Sequence, residues 1–79
     1  MNSKQALVEI MKLRGYNNTT LAAKMGYAHP SGISERLRGK LDMRVDVLVK
    51  LIEAMDCELV IRSTLKDKVE WVVSEKEEG

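Results

Sequence analysis

Between His29 and Arg44 the chain crowds together hydroxyls, a carboxylate and cations: His29, Ser31, Ser34, Glu35, Arg36, Arg38, Lys40 and Arg44, with Gly32 and Gly39 among them. Arginine can hold guanine O6 and N7 with two N–H donors, glutamate can accept from cytosine N4, and serine suits either role at a base edge. Lysine and arginine also hold phosphates, with an affinity that falls as salt rises. The same residues offer little for catalysis. His29 has no nucleophile or second titrating partner beside it, and the chain holds no Gly-rich phosphate loop or triad, so no enzyme and no cofactor are expected. One cysteine, Cys57, and one histidine cannot build a structural zinc site, and Cys57 has no partner for an internal disulfide.

Such side chains act together only if the backbone presents them on one surface. Asn17 to Gly39 reads as two short helices joined by a tight Gly-containing turn, the pattern of a DNA-reading helix-turn-helix. Asn17 caps the first of these helices, which runs through Met25 with Leu21, Ala22 and Met25 on one face and Gly26 as its stop. The second is predicted with His29 at the cap and Pro30 at the first helical position, where proline's fixed φ and missing N–H do no harm. It runs to Arg38 and is stopped by Gly39. The helical period gathers Pro30, Ile33 and Leu37 on one side and Ser31, Ser34, Glu35 and Arg38 roughly opposite.

Around this pair the spacing predicts two further helices. Ser3 caps one over Lys4 to Arg14, with Leu7, Ile10, Met11 and Arg14 at three- and four-residue spacing and Gly15 as the stop. Another runs from about Arg44 to Asp56 and carries Val45, Leu48, Val49, Leu51, Ile52 and Met55, more apolar residues than one buried stripe needs, so part of it can face a second subunit. After Cys57 the pattern turns strand-like. Leu59-Val60-Ile61 and Val69-Glu70-Trp71-Val72-Val73 are separated by the polar Lys66-Asp67-Lys68 turn, which predicts a β-hairpin over 57–73. Two strands alone are marginal in water and leave open edges, so the hairpin must pack on the helices or pair with its copy in another chain. Trp71 is expected to anchor the core or a dimer, and Ser74 to Gly79 to fray. The fold class expected is mainly α: a four-helix helix-turn-helix domain over 1–56, a hairpin over 57–73 and a polar tail over 74–79.

The chain has 79 residues, 44% of them hydrophobic and 32% charged, with one proline and no phenylalanine. That is the composition of a compact helix-rich domain, but one whose small core leaves a thin margin over chain entropy, and dimerisation is expected on size alone. The net charge of +1 conceals a split. Residues 1–56 hold nine Lys and Arg against six Asp and Glu, and residues 57–79 hold four against six. The basic charge is densest from Arg36 to Arg44, where phosphates would lie. No apolar run approaches the roughly 20 residues that span a bilayer, so a reduced, cytoplasmic chain without a membrane partner is expected.

Leu21-Ala22-Ala23-Lys24-Met25-Gly26, then Ile33-Ser34, Gly39-Lys40 and Leu48-Val49-Lys50-Leu51-Ile52-Glu53-Ala54-Met55 resemble the lambda Cro and phage-repressor class of helix-turn-helix regulators, the Xre family. With the trailing Glu58-Leu59-Val60-Ile61-Arg62, the chain is similar to short bacterial and prophage members that end in strands. The segment from Gly26 to Ile33 is longer than the usual family spacing, and Leu37 stands later than its family counterpart. The resemblance implies base-reading by Ser31, Gly32, Ser34, Glu35 and Arg38, with Arg38 on guanine or, if it sits too far back, on phosphate. It implies phosphate contacts from Asn18, Thr19, His29, Lys40 and Arg44. Leu59, Ile61, Val69, Trp71 and Val73 are the expected dimerisation residues. The function implied is a homodimeric transcriptional regulator, a repressor by analogy, on a pseudo-palindromic site in double-stranded DNA. The charge split supports an alternative, an antitoxin or protein-binding module whose hairpin or acidic tail binds a toxin protein.

Overall fold

Asn2 opens helix α1 (Ser3–Arg14) through a reciprocal cap: its side-chain oxygen accepts the Gln5 N–H, and Gln5 Oε1 accepts the Asn2 N–H, both at 2.9 Å. The cap therefore sits one residue before the expected Ser3. Asn2 has a glutamine three residues on to return the bond, whereas Ser3 has only Ala6 at that distance. Helix α2 (Asn18–Met25) starts in the same way at the expected residue, with Asn17 Oδ1 accepting the Thr20 N–H at 2.8 Å and Thr20 Oγ1 accepting the Asn17 N–H at 2.9 Å. Asn17→Ala leaves the Thr20 N–H without its side-chain acceptor and is expected to lower stability by about 1 kcal/mol in urea unfolding, with Asn17→Asp keeping most of it.

Helix α3 (Ser31–Arg38) departs from expectation at its start. Pro30, not His29, is the cap residue, at φ −67° and ψ −11°, and its carbonyl accepts the N–H groups of Ile33 and Ser34 at 3.0 and 3.1 Å. No side chain caps this end. Pro30 is also exposed rather than part of the apolar side. The helix stops at Gly39, whose φ of 83° is left-handed backbone that a β-carbon would strain. Helix α4 (Val45–Ala54) is shorter at both ends than the expected Arg44 to Asp56. Arg44 is its cap residue in extended conformation, and Asp56 at φ 60° turns the chain away.

Strands β1 (Leu59–Arg62) and β2 (Glu70–Val73) form a two-stranded antiparallel sheet in which Leu59 faces Val73, Val60 faces Val72, Ile61 faces Trp71 and Arg62 faces Glu70. The chain is thus mainly α, four helices followed by a C-terminal hairpin. The structure, a computed structural model, describes residues 1–74; of the expected polar tail, all but Ser74 lies outside the described residues.

Leu7 and Met11 of α1, Leu21 and Ala22 of α2, Ile33 of α3, and Leu51 and Ile52 of α4, with Met55 after it, form one buried cluster. Arg14 ties α1 to the end of α4, its Nε donating to the Met55 carbonyl at 3.1 Å. Leu59 and Cys57 rest against this cluster, which seats the root of the hairpin. Trp71 is no part of it: the residue is 56% exposed, which corrects the expectation of a core anchor. The physical reason is the register. Leu59 and Val73 stand at the helix-proximal end, while the Ile61–Trp71 pair lies one step further out, beyond the reach of the helices. Among the described residues no helix is long and apolar enough to cross a membrane.

Candidate nucleic-acid interface

Helix α3 is divided lengthwise. Ile33 is fully buried and Leu37 packs partly buried against the core, whereas Ser31 and Arg38 are exposed and Ser34 and Glu35 half-exposed between them. Three- and four-residue steps carry Ser31 to Ser34 and Glu35 and on to Arg38, so these four side chains share one outward strip. The Ser34 hydroxyl donates to the Ser31 carbonyl at 3.4 Å, a weak local bond that leaves its lone pairs open. The Glu35 carbonyl accepts from the N–H groups of Lys40 at 2.9 Å and Leu41 at 3.3 Å, which folds the loop after α3 back against the helix end and fixes where Lys40 begins.

Gly32 and Arg36 turn toward the joint with α2. A β-carbon on Gly32 would lie 3.0 Å from Tyr27 Cδ2, so the missing side chain makes room for the tyrosine ring of the preceding turn. Arg36 covers that ring with its guanidinium carbon 5.7 Å from the centroid, and Nη1 donates to the Gly32 carbonyl at 2.6 Å. Among the described residues, its Nε is buried without a partner. The structure draws Arg36, counted in the sequence with the basic cluster, across the α2–α3 joint, where it bridges the Tyr27 ring and the Gly32 carbonyl.

The expected phosphate group is spread over three places. Asn18 and Thr19 occupy the first turn of α2, half-exposed and exposed, next to backbone donors at a helix start. His29 lies exposed in the turn before α3. Lys40 and Arg44 are exposed in the segment between α3 and α4, and Arg44 Nε sits 3.5 Å from Asp46 Oδ1. A pair so open to water holds the guanidinium weakly and yields readily to a phosphate. Sequence reasoning missed Lys4: its Nζ lies 2.9 Å from where a β-carbon on Gly39 would stand, so α1 sends a further cation to the C-terminal end of α3. No local signal marks this, since the two residues meet only through the packing of distant segments.

The five expected dimerisation residues do fall on one face of the hairpin. The register puts Leu59, Ile61, Trp71 and Val73 there, and the Ser63 N–H donating to the Val69 carbonyl at 2.8 Å continues the ladder to Val69. The opposite face was overlooked. It carries Val60 and Val72, both exposed, beside an ion pair of Arg62 Nη1 and Glu70 Oε2 at 3.7 Å. Comparison with protein-family models, with curated proteins and with solved structures finds no match to this chain.

Proposed function

We propose that the chain is a sequence-specific DNA-binding transcriptional regulator, a repressor in mode, that acts as a homodimer on a pseudo-palindromic operator. In this reading α2 and α3 work as a helix-turn-helix, with α3 laid in the major groove. Ser31, Ser34, Glu35 and Arg38 meet base edges, and Asn18, Thr19, His29, Lys40, Arg44 and Lys4 hold the flanking phosphates. The observation that carries it is the lengthwise division of α3, buried at Ile33 and bare at Ser31 and Arg38, with cations gathered at its far end. Two copies would place their third helices in successive major grooves about one helical turn apart. Selection from random duplexes at moderate salt is the direct test. Enrichment of a two-fold symmetric site is expected, and recovery of unenriched duplexes alone would reject the reading.

A second reading rests on the exposed apolar hairpin, where Ile61, Trp71 and Val72 are each more than half exposed. Such a patch suits a protein partner, as in an antitoxin that sequesters a toxin while DNA binding stays secondary. Stoichiometric co-purification of a second, different chain from the native host would favour it over the homodimer.

A further inference from the structure

Among the described residues, the sheet leaves one edge of β1 without a neighbouring strand. Opposed residues in an antiparallel ladder alternate between hydrogen-bonded and non-hydrogen-bonded pairs. Ser63 donates to Val69, its opposite number, so Ile61 and Leu59 also aim their main-chain groups at β2, and Glu58, Val60 and Arg62 aim theirs outward. That outward row is self-complementary. If a second β1 runs antiparallel with the two-fold axis at Val60, Val60 opposes Val60 of the other copy and Glu58 opposes Arg62 of the other copy, each pair with its amides and carbonyls already facing. The side chains above the ladder agree. On one face each Arg62 stands between its own Glu70, now 3.7 Å away, and the incoming Glu58, and on the other Leu59 meets Ile61. Shifting the axis by one residue either way sets Glu58 or Arg62 against valine instead.

The outer edge of β2 has no such match. An axis at Val72 sets Glu70 against Ser74, and Ser74 Oγ already donates to Glu53 Oε2 of α4 at 3.4 Å. We infer that β1 is the self-association edge of this protein, pairing with a second copy of the chain about Val60 into a continuous sheet held by two Glu58–Arg62 ion pairs. The exposed Ile61 and Trp71 then extend one apolar strip across both copies. The inference rests on the homodimer in the functional reading but needs no DNA.

Sedimentation of charge-reversed variants tests it. Glu58→Arg alone sets arginine against arginine and Arg62→Glu alone sets glutamate against glutamate, so each is expected to self-associate about tenfold more weakly than the natural chain. In an equimolar mixture of the two variants, both cross-strand pairs join a guanidinium to a carboxylate again, and most of the affinity is expected to return; the in-chain Arg62–Glu70 pair cannot produce that rescue. Val60→Pro, which removes an outward N–H while sparing the β1–β2 ladder, is expected to leave monomers with an unchanged circular dichroism spectrum. A mixture no tighter than its components, or a natural chain still monomeric at about 100 µM, overturns the interface. Sequence-selective duplex binding with no rescue would remove this interface alone; rescue without any duplex selection would remove only the DNA-binding role.

Discussion

Ile33→Ala is expected to lower the unfolding free energy by about 3 kcal/mol, within the range of roughly 2 to 5 for deleting a buried aliphatic side chain. Ile33 is fully buried and belongs to the same cluster as Leu7, Leu21, Leu51 and Met55, so each neighbour loses packing at once and the cavity has no solvent side on which to collapse. Domains of this kind carry only about 5 to 15 kcal/mol in all, which makes the loss a large share of the whole. Urea unfolding monitored by circular dichroism measures it, with Ile33→Val as a graded step of about 1 kcal/mol. Loss of less than about 0.5 kcal/mol would mean that α3 is not anchored through this residue, a value otherwise typical of surface substitutions. Because the same side chain sets the roll of α3, duplex affinity should fall more than the folded fraction accounts for, and that excess is read by titrating DNA at a temperature where the variant is folded.

The hairpin is the part of the fold that the helical core supports least. The buried cluster draws on all four helices, yet the strands add only Leu59 to its margin, while Ile61, Trp71 and Val72 remain more than half exposed. A two-stranded sheet with apolar residues on both faces gains little by itself in water, and pairing an edge converts open donors and acceptors into ladder bonds.

What was legible in the sequence was whatever depends on near neighbours. Asn17 with Thr20 forms its cap as read, Gly15, Gly26 and Gly39 end their helices in left-handed backbone, and the alternation through Leu59–Arg62 and Glu70–Val73 gives strands in the expected order. Boundaries slipped where two neighbours compete for one role, as Asn2 with Ser3 and Pro30 with His29, and the winner is set by which residue has a reciprocal partner or a compatible ψ. Contacts made through packing left no local trace. Arg36 over Tyr27 and Lys4 beside Gly39 join segments whose approach follows from the core, and Trp71, read as an anchor of the core or of a dimer, is set beyond the helices by the register. The outward strip of α3 was legible because a helical period alone decides it; the Arg36 contacts at the α2–α3 joint were not.

Arg38→Ala is expected to weaken operator binding by about 1–3 kcal/mol while leaving the fold intact. Arg38 is exposed in the last turn of α3 and makes no ion pair within the described chain, so its removal disturbs no packing, unlike that of Ile33. Its position also decides between two chemistries. A guanidinium reaching guanine O6 and N7 forms a bidentate pair whose loss falls on one base pair, so the variant would tolerate any base there and lose little against already mutated sites. A guanidinium set back on the phosphate would weaken all duplexes equally and reduce the salt slope by about one counterion. Titrating the variant against the selected site, its single-base changes and a range of salt concentrations separates the two. The Lys4 and Lys40 cations near the C-terminal end of α3 already supply charge there, which favours the base-reading outcome, and an undiminished affinity for every duplex would remove Arg38 from the interface.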